Sequence, residues 1–170
     1  DCVGDFIGMF SGGTYGMKMY DDAGQRTVTG YMENCYASGI VEGQTAIGGF
    51  IGSAVDLVFK NCYSTAAVGM DYTGQNVGGF AGVQNVYVTP IYINDMGVNK
   101  NGAIYLNCYS AGEVGDVSTD SNNSTATATT IGGFLGGYTD ESSLNFKNCY
   151  YDMQTSGMRE VAVGAAGNTG

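Results

Sequence analysis

Histidine is absent from this chain of 170 residues. That removes Ser-His-Asp and Cys-His nucleophile pairs, imidazole metal ligands and histidine acid–base chemistry. Basic residues are scarce: Lys plus Arg number 6 against 16 Asp plus Glu, a formal net charge of −10. Nucleic acid demands a basic footprint, and an anionic membrane surface attracts basic segments; the chain offers neither. No run of 18 apolar residues occurs, so no segment reads as a membrane-spanning helix. There is one proline and no Gly-X-Y period, which excludes a collagen-like chain.

What is present points elsewhere. Hydrophobic residues make up 44%, too many for a disordered tail and enough for one domain over 1–170 with its own core. Glycine is over-represented, at 29 residues. Few Lys and Arg, 13 Tyr and Ser/Thr-rich stretches read as an exported, extracellular or cell-surface chain. The first residue is Asp1, not Met, which is read as a processed product or an excised fragment.

The dominant pattern is a two-part phrase. Its first part reads VGDFIG at Val3–Gly8, IGGFIG at Ile47–Gly52, VGGFAG at Val77–Gly82 and IGGFLG at Ile131–Gly136. Its second reads ENCYASG at Glu33–Gly39, KNCYSTAAVG at Lys60–Gly69, LNCYSAG at Leu106–Gly112 and KNCYYDMQTSG at Lys147–Gly157. The parts alternate strictly, four of each. Self-similarity at such spacing marks a solenoid or array.

The lead-in to each NCY alternates like a half-buried strand. Met32, Phe59, Tyr105 or Phe146 stands three residues before the Cys, and Glu33, Lys60, Leu106 or Lys147 two before. A corner at Asn34, Asn61, Asn107 and Asn148 is expected, because Asn tolerates left-handed backbone. Cys35, Cys62, Cys108 and Cys149 would then face the core and the following Tyr would face out. In the other phrase, Gly48, Gly49, Gly78, Gly79, Gly132 and Gly133 are expected to bend the chain through positive φ or close approach. Phe50, Phe80 and Phe134 would fill the core behind them. The first copy reads as degenerate, with Asp5 in place of the second Gly, as terminal repeats often are.

Successive NCY cysteines lie 27, 46 and 41 residues apart. The shortest interval is long for a single coil and suggests about one and a half. The longer ones hold insertions at 84–102, where VYVTPIYI (Val86–Ile93) reads as a hairpin arm or edge strand, and at 116–130, a polar solvated loop. No helix is expected. The tail, 158–170, carries an alternating VAV that reads as an assembly strand for a sheet edge.

These phrases, closing on NCYYDMQTSG, resemble the GLUG-motif repeats of bacterial and some archaeal surface proteins, which commonly carry GGLVG, NCYSTG and a closing CYWDxxTSG. Here Phe stands for the usual Leu and Tyr151 for the closing Trp. The resemblance runs from Val3 to Gly157. It implies an adhesin-like β-solenoid and brings no catalytic residues.

Two readings of the four repeat cysteines stay open: a ladder of buried free thiols, or disulfides between adjacent copies, such as Cys35–Cys62 and Cys108–Cys149. A single column lacks zinc geometry. Cys2 is odd; it is either buried in an end cap or continues the column from Cys149 of a neighbouring copy. Asn122 and Asn123 open overlapping N-x-S/T glycosylation sequons. Acidic turns containing Asp21, Asp22, Asp56, Asp71, Asp116 and Asp120 read as solvated. Ca²⁺ is the one cofactor they would suit, and no EF-hand or nonapeptide pattern supports it.

The expectation is therefore an all-β solenoid of four GGF/NCY repeats with two insertions. Its function would be structural, not enzymatic: a subunit of a head-to-tail homopolymeric fibre, or a module of a larger adhesin. A carbohydrate-binding or carbohydrate-active β-helix is a more remote alternative. The main partner is itself, with host, cell-surface or carbohydrate ligands behind.

Overall fold

Short apolar strands punctuated by Asn and Gly corners cannot bury their faces alone, so they stack on copies of themselves. In the computed structural model the chain does so as an all-β solenoid of four turns. The structure describes residues 6–15, 19–20, 26–27, 31–43, 45–69, 75–86, 91–93, 98–100, 102–115, 130–158 and 162–164.

Each turn contributes one strand to each of four parallel sheets. The first sheet takes Ile7–Gly8, Thr45–Gly48, Gln75–Gly78 and Ile131–Gly132; the second takes Ser11–Tyr15, Ile51–Val55, Ala81–Asn85 and Leu135–Tyr138. The third takes Tyr31–Glu33, Val58–Lys60, Ile104–Leu106 and Asn145–Lys147; the fourth takes Tyr36–Ala37, Tyr63–Ser64, Tyr109–Ser110 and Tyr150–Tyr151. A shorter ladder joins Ile40–Val41 to Ala67–Val68 and continues through a bridge from Val68 to Val114. Paired residues such as Tyr36 and Tyr63 are 27 apart, and Ile47 and Val77 are 30 apart. One repeat is thus one complete turn, not one and a half.

Register corrects the first copy. Ile7 pairs with Ile47 and Gly8 with Gly48, and Phe10 stacks on Phe50 at 4.8 Å. The first phrase is therefore Ile7-Gly8-Met9-Phe10, four residues later than the look-alike VGDF. Met9, not Asp5, stands where the second glycine belongs.

The second turn is the compact one, passing directly from Val55 to Val58. At the same corner the first and third turns send out arms. In the first, Met19–Tyr20 pairs antiparallel with Arg26–Thr27. In the third, Ile91–Ile93 pairs antiparallel with Val98–Lys100. Thr27 pairs with Tyr92 in parallel, so the arms join into one four-stranded sheet. The hairpin expected in 84–102 is present, though Gln84 and Asn85 belong to the solenoid strand. Of the 116–130 loop, only Thr130 lies within the described residues; it is buried.

Two further details differ from the sequence reading. A one-turn helix spans Met153–Ser156. The Asp152 carboxylate caps it, accepting from the Gln154 and Thr155 amides at 2.8 and 3.3 Å, and Gly157 ends it at φ 71°. This is ordinary N-cap and C′ chemistry, too short for a 3.6-residue period to show. The tail strand docks on its own chain. Phe134 and Leu135 amides donate to Ala162 at 2.9 and 3.1 Å, and the Gly164 amide donates to Leu135 at 2.9 Å. Residues 162–164 thereby begin a fifth layer on the last turn at Phe134 and Leu135.

Candidate functional site: the side-chain columns and the two ends

Parallel in-register stacking turns every repeat position into a column. Phe10, Phe50, Phe80 and Phe134 stack with ring centroids 4.8, 4.8 and 4.9 Å apart and planes within 7°. Met32, Phe59, Tyr105 and Phe146 form the facing column; Phe59–Tyr105 and Tyr105–Phe146 stack at 5.2 and 5.0 Å. The columns meet edge to face, as in Phe59–Phe80 at 5.6 Å and 88°. Stacked and edge-on rings are the favoured aromatic geometries, each pair contributing about 0.5–1.5 kcal/mol beyond its burial. The Tyr105 hydroxyl is an anomaly within this column. It is fully buried and has no hydrogen-bond partner among the described residues, and burial holds its pKa far above the usual phenol value.

The asparagine corners form a ladder. Asn34, Asn61, Asn107 and Asn148 all have φ between 51° and 56°, the left-handed conformation that Asn tolerates. Each side-chain amide donates to the asparagine of the preceding turn: Asn61 to Asn34 at 3.1 Å, Asn107 to Asn61 at 3.0 Å and Asn148 to Asn107 at 3.1 Å. The ladder has a direction. It starts at Asn34, whose carbonyl accepts, and stops at Asn148, whose amide donates.

Resetting the register at Asn turns the next residue inward. Cys62 and Cys108 are fully buried, while Cys35 and Cys149 at the ends of the column are half-buried. All four are free thiols. Their S–H groups donate to main-chain carbonyls: Cys62 to Met32 at 3.2 Å, Cys149 to Tyr105 at 3.3 Å and Cys108 to Leu106 at 3.3 Å. Side-chain interaction with Cys149 and then Cys62, added to burial, pushes the Cys108 thiol well up. Burial and the neighbouring Cys62 raise Cys35.

The next position turns outward. Tyr36, Tyr63 and Tyr109 stack at 5.3 and 5.0 Å on the surface. Within the column, the ring face that a sugar would pack against is covered by the next tyrosine.

The glycines act differently from expectation. Gly48, Gly78 and Gly132 have no positive φ; they supply clearance. A Cβ at Gly48 would meet Ile51 O and lie 2.6 Å from Gly82 N. The second glycine clears the fourth sheet. A Cβ at Gly49 would strike Ser64 Oγ, at Gly79 Ser110 Oγ, and at Gly133 the Tyr151 ring. In the first turn the residue facing this place is Ala37, the register partner of Ser64, which fits the presence of Met9.

Of the acids, Asp56 is buried at the compact corner, and Asp140 caps a 3₁₀ turn, accepting from the Ser142 amide at 2.9 Å. Asp21, Asp22, Asp71, Asp116 and Asp120 lie outside the described residues, as do Cys2, Asn122 and Asn123. Among the described residues no group of three His, Cys, Asp or Glu side chains converges as a metal site.

Exposed apolar side chains gather at the two ends of the stack. Ten large hydrophobic side chains are exposed among the described residues. Phe6, Met9, Phe10, Tyr31, Tyr36 and Ile40 lie on the first turn, and Phe146, Tyr150 and Met153 on the last. Only Tyr109 belongs to the interior of the stack. Comparison of the chain with family models, with curated proteins and with solved structures returns no match.

Proposed function

We propose that this chain is a structural subunit of an extracellular fibre whose copies stack head to tail. The carrying observation is the concentration of exposed apolar side chains on the first and last turns. Between the ends, the same columns are closed by the neighbouring turn. An open parallel strand edge is a template for another chain. The two ends are unlike each other, so a contact between them is heterologous and continues without closing, which produces a filament.

The columns support the same reading. A further copy would continue the Cys, Tyr and Asn columns, with the Asn34 amide of one chain donating to the Asn148 carbonyl of the next, while residues 162–164 already cover the Phe column at Phe134. Cys2 is assigned to the same junction, where it would extend the thiol column beyond Cys149 of the neighbour. The phrases shared with GLUG-motif repeats favour a cell-surface setting. No residue is assigned a catalytic role. The rival, a module within a longer adhesin, would place flanking turns of its own chain on the same ends.

Substituting a half-exposed end residue tests this while every fully buried side chain stays in place. Phe10→Asp is expected to retain the native circular-dichroism spectrum and to sediment as single chains. The unsubstituted protein is expected to sediment as polymers that shorten on dilution. Equal sedimentation of both as single particles would refute the fibre and favour the module.

A further inference from the structure

The four described cysteines form a row, not a cluster. Pairings of Tyr36 with Tyr63, Tyr63 with Tyr109 and Tyr109 with Tyr150 place the preceding cysteines at equal heights on adjacent parallel strands. In-register side chains on such strands repeat at about 4.8 Å. That spacing suits some bonds better than others. A disulfide wants Cβ atoms about 3.8 Å apart, so closing one here would draw the strands together. A linear sulfur–metal–sulfur bridge sets the two sulfurs two metal–sulfur bonds apart, so the strands need not close up on each other.

Among the described residues no three such side chains converge, so the row offers a metal two sulfur ligands at a time. Hard cations need several oxygen ligands, whereas the row is packed among Phe59, Phe80, Tyr105 and Phe134. The chemistry left is that of soft monovalent cations, which prefer sulfur and accept two ligands in line.

We propose that the cysteine row binds a thiophilic monovalent cation, Cu(I) or Ag(I), at two places: between Cys35 and Cys62, and between Cys108 and Cys149. Each site takes one cation and releases two protons, leaving two thiolates on the metal with no change of oxidation state. The resulting unit carries one negative charge. Both sites share no sulfur. Each includes one half-buried cysteine, Cys35 or Cys149, which gives the cation a way in from either end of the stack.

The test uses the full chain carrying Cys2→Ser, so that only the row is counted, with Ag(I) as probe and no thiol reductant. Equilibrium dialysis with elemental analysis is expected to give about two silver ions per chain, falling to about one in Cys62→Ala and in Cys108→Ala. X-ray absorption on the Cys2→Ser protein alone keeps the test open if either alanine variant fails to fold; two sulfur neighbours per silver are expected. No uptake above that of iodoacetamide-blocked protein overturns the proposal. So do three or more sulfurs per metal, or disulfides within the row of the protein as isolated.

Discussion

The two corners of each turn do the same job by different means. At the NCY corner the backbone adopts φ of 51–56°, and an asparagine makes that conformation tolerable while its amide joins the turns. At the GGF corner the backbone is ordinary and the constraint is space: a side chain at Gly48 would meet the backbone of its own turn and the next. One corner selects a residue for its torsions, the other selects the absence of a side chain. Repeated Asn and repeated Gly, both common turn residues, therefore carry different information.

The largest effect on this comparison should come from the residue both corners share. Phe80 stacks between Phe50 and Phe134 and meets Phe59 and Tyr105 edge-on. Phe80→Ala is expected to cost about 3–5 kcal/mol, read by denaturant unfolding, and to loosen both corners in hydrogen exchange. Gly48→Ala comes next, at about 3 kcal/mol, because the obstruction is backbone and cannot swing aside. Asn61→Ala should cost about 2 kcal/mol through the left-handed torsion and two ladder bonds. Asn61→Gly keeps the torsion and should recover about half of that loss. If glycine is no better than alanine at position 61, the torsional account of this corner is wrong.

Smaller effects probe the columns and the closing turn. Tyr105→Phe should stabilise the protein by about 1 kcal/mol, because it removes a buried hydroxyl with no partner and keeps the ring. Asp152→Ala should have the smallest effect. The amides of Gln154 and Thr155 and the Thr155 hydroxyl hold the Asp152 pKa below its usual value. Its contribution is therefore present above the unfolded-state pKa and is lost as pH falls through the lower folded value. The variant should differ from the parent near neutral pH and converge with it in acid.

Much of this was legible in the sequence because repetition amplifies small signals. Four copies of Asn-Cys-Tyr, with a large apolar residue three before each Cys, identified the corner, the inward thiol and the outward tyrosine. The glycines were harder: their spacing marks a constraint but does not say whether torsion or clearance imposes it. The first turn was misaligned because Val3-Gly4-Asp5-Phe6 mimics the phrase better than the true Ile7-Gly8-Met9-Phe10. Only register, with Phe10 on Phe50, decides between them. The arm containing Met19–Tyr20 and Arg26–Thr27 escaped notice for the same reason, since no earlier NCY exists to measure its interval. The degenerate first copy points to an end, but no single side chain marks its exposure. A phenylalanine reads the same whether its column continues or stops.

The central claim is that the turns of one copy continue into the next. The most direct measurement is electron microscopy of the purified full chain, with and without reductant, analysed for axial repeat. Four to five strand layers per subunit predict unbranched fibres with a rise of about 19–24 Å. Their loss on reduction would assign Cys2 a covalent role at the junction, and their persistence would leave the columns to hold it. Discrete particles in both samples, at every concentration tried, would contradict the account.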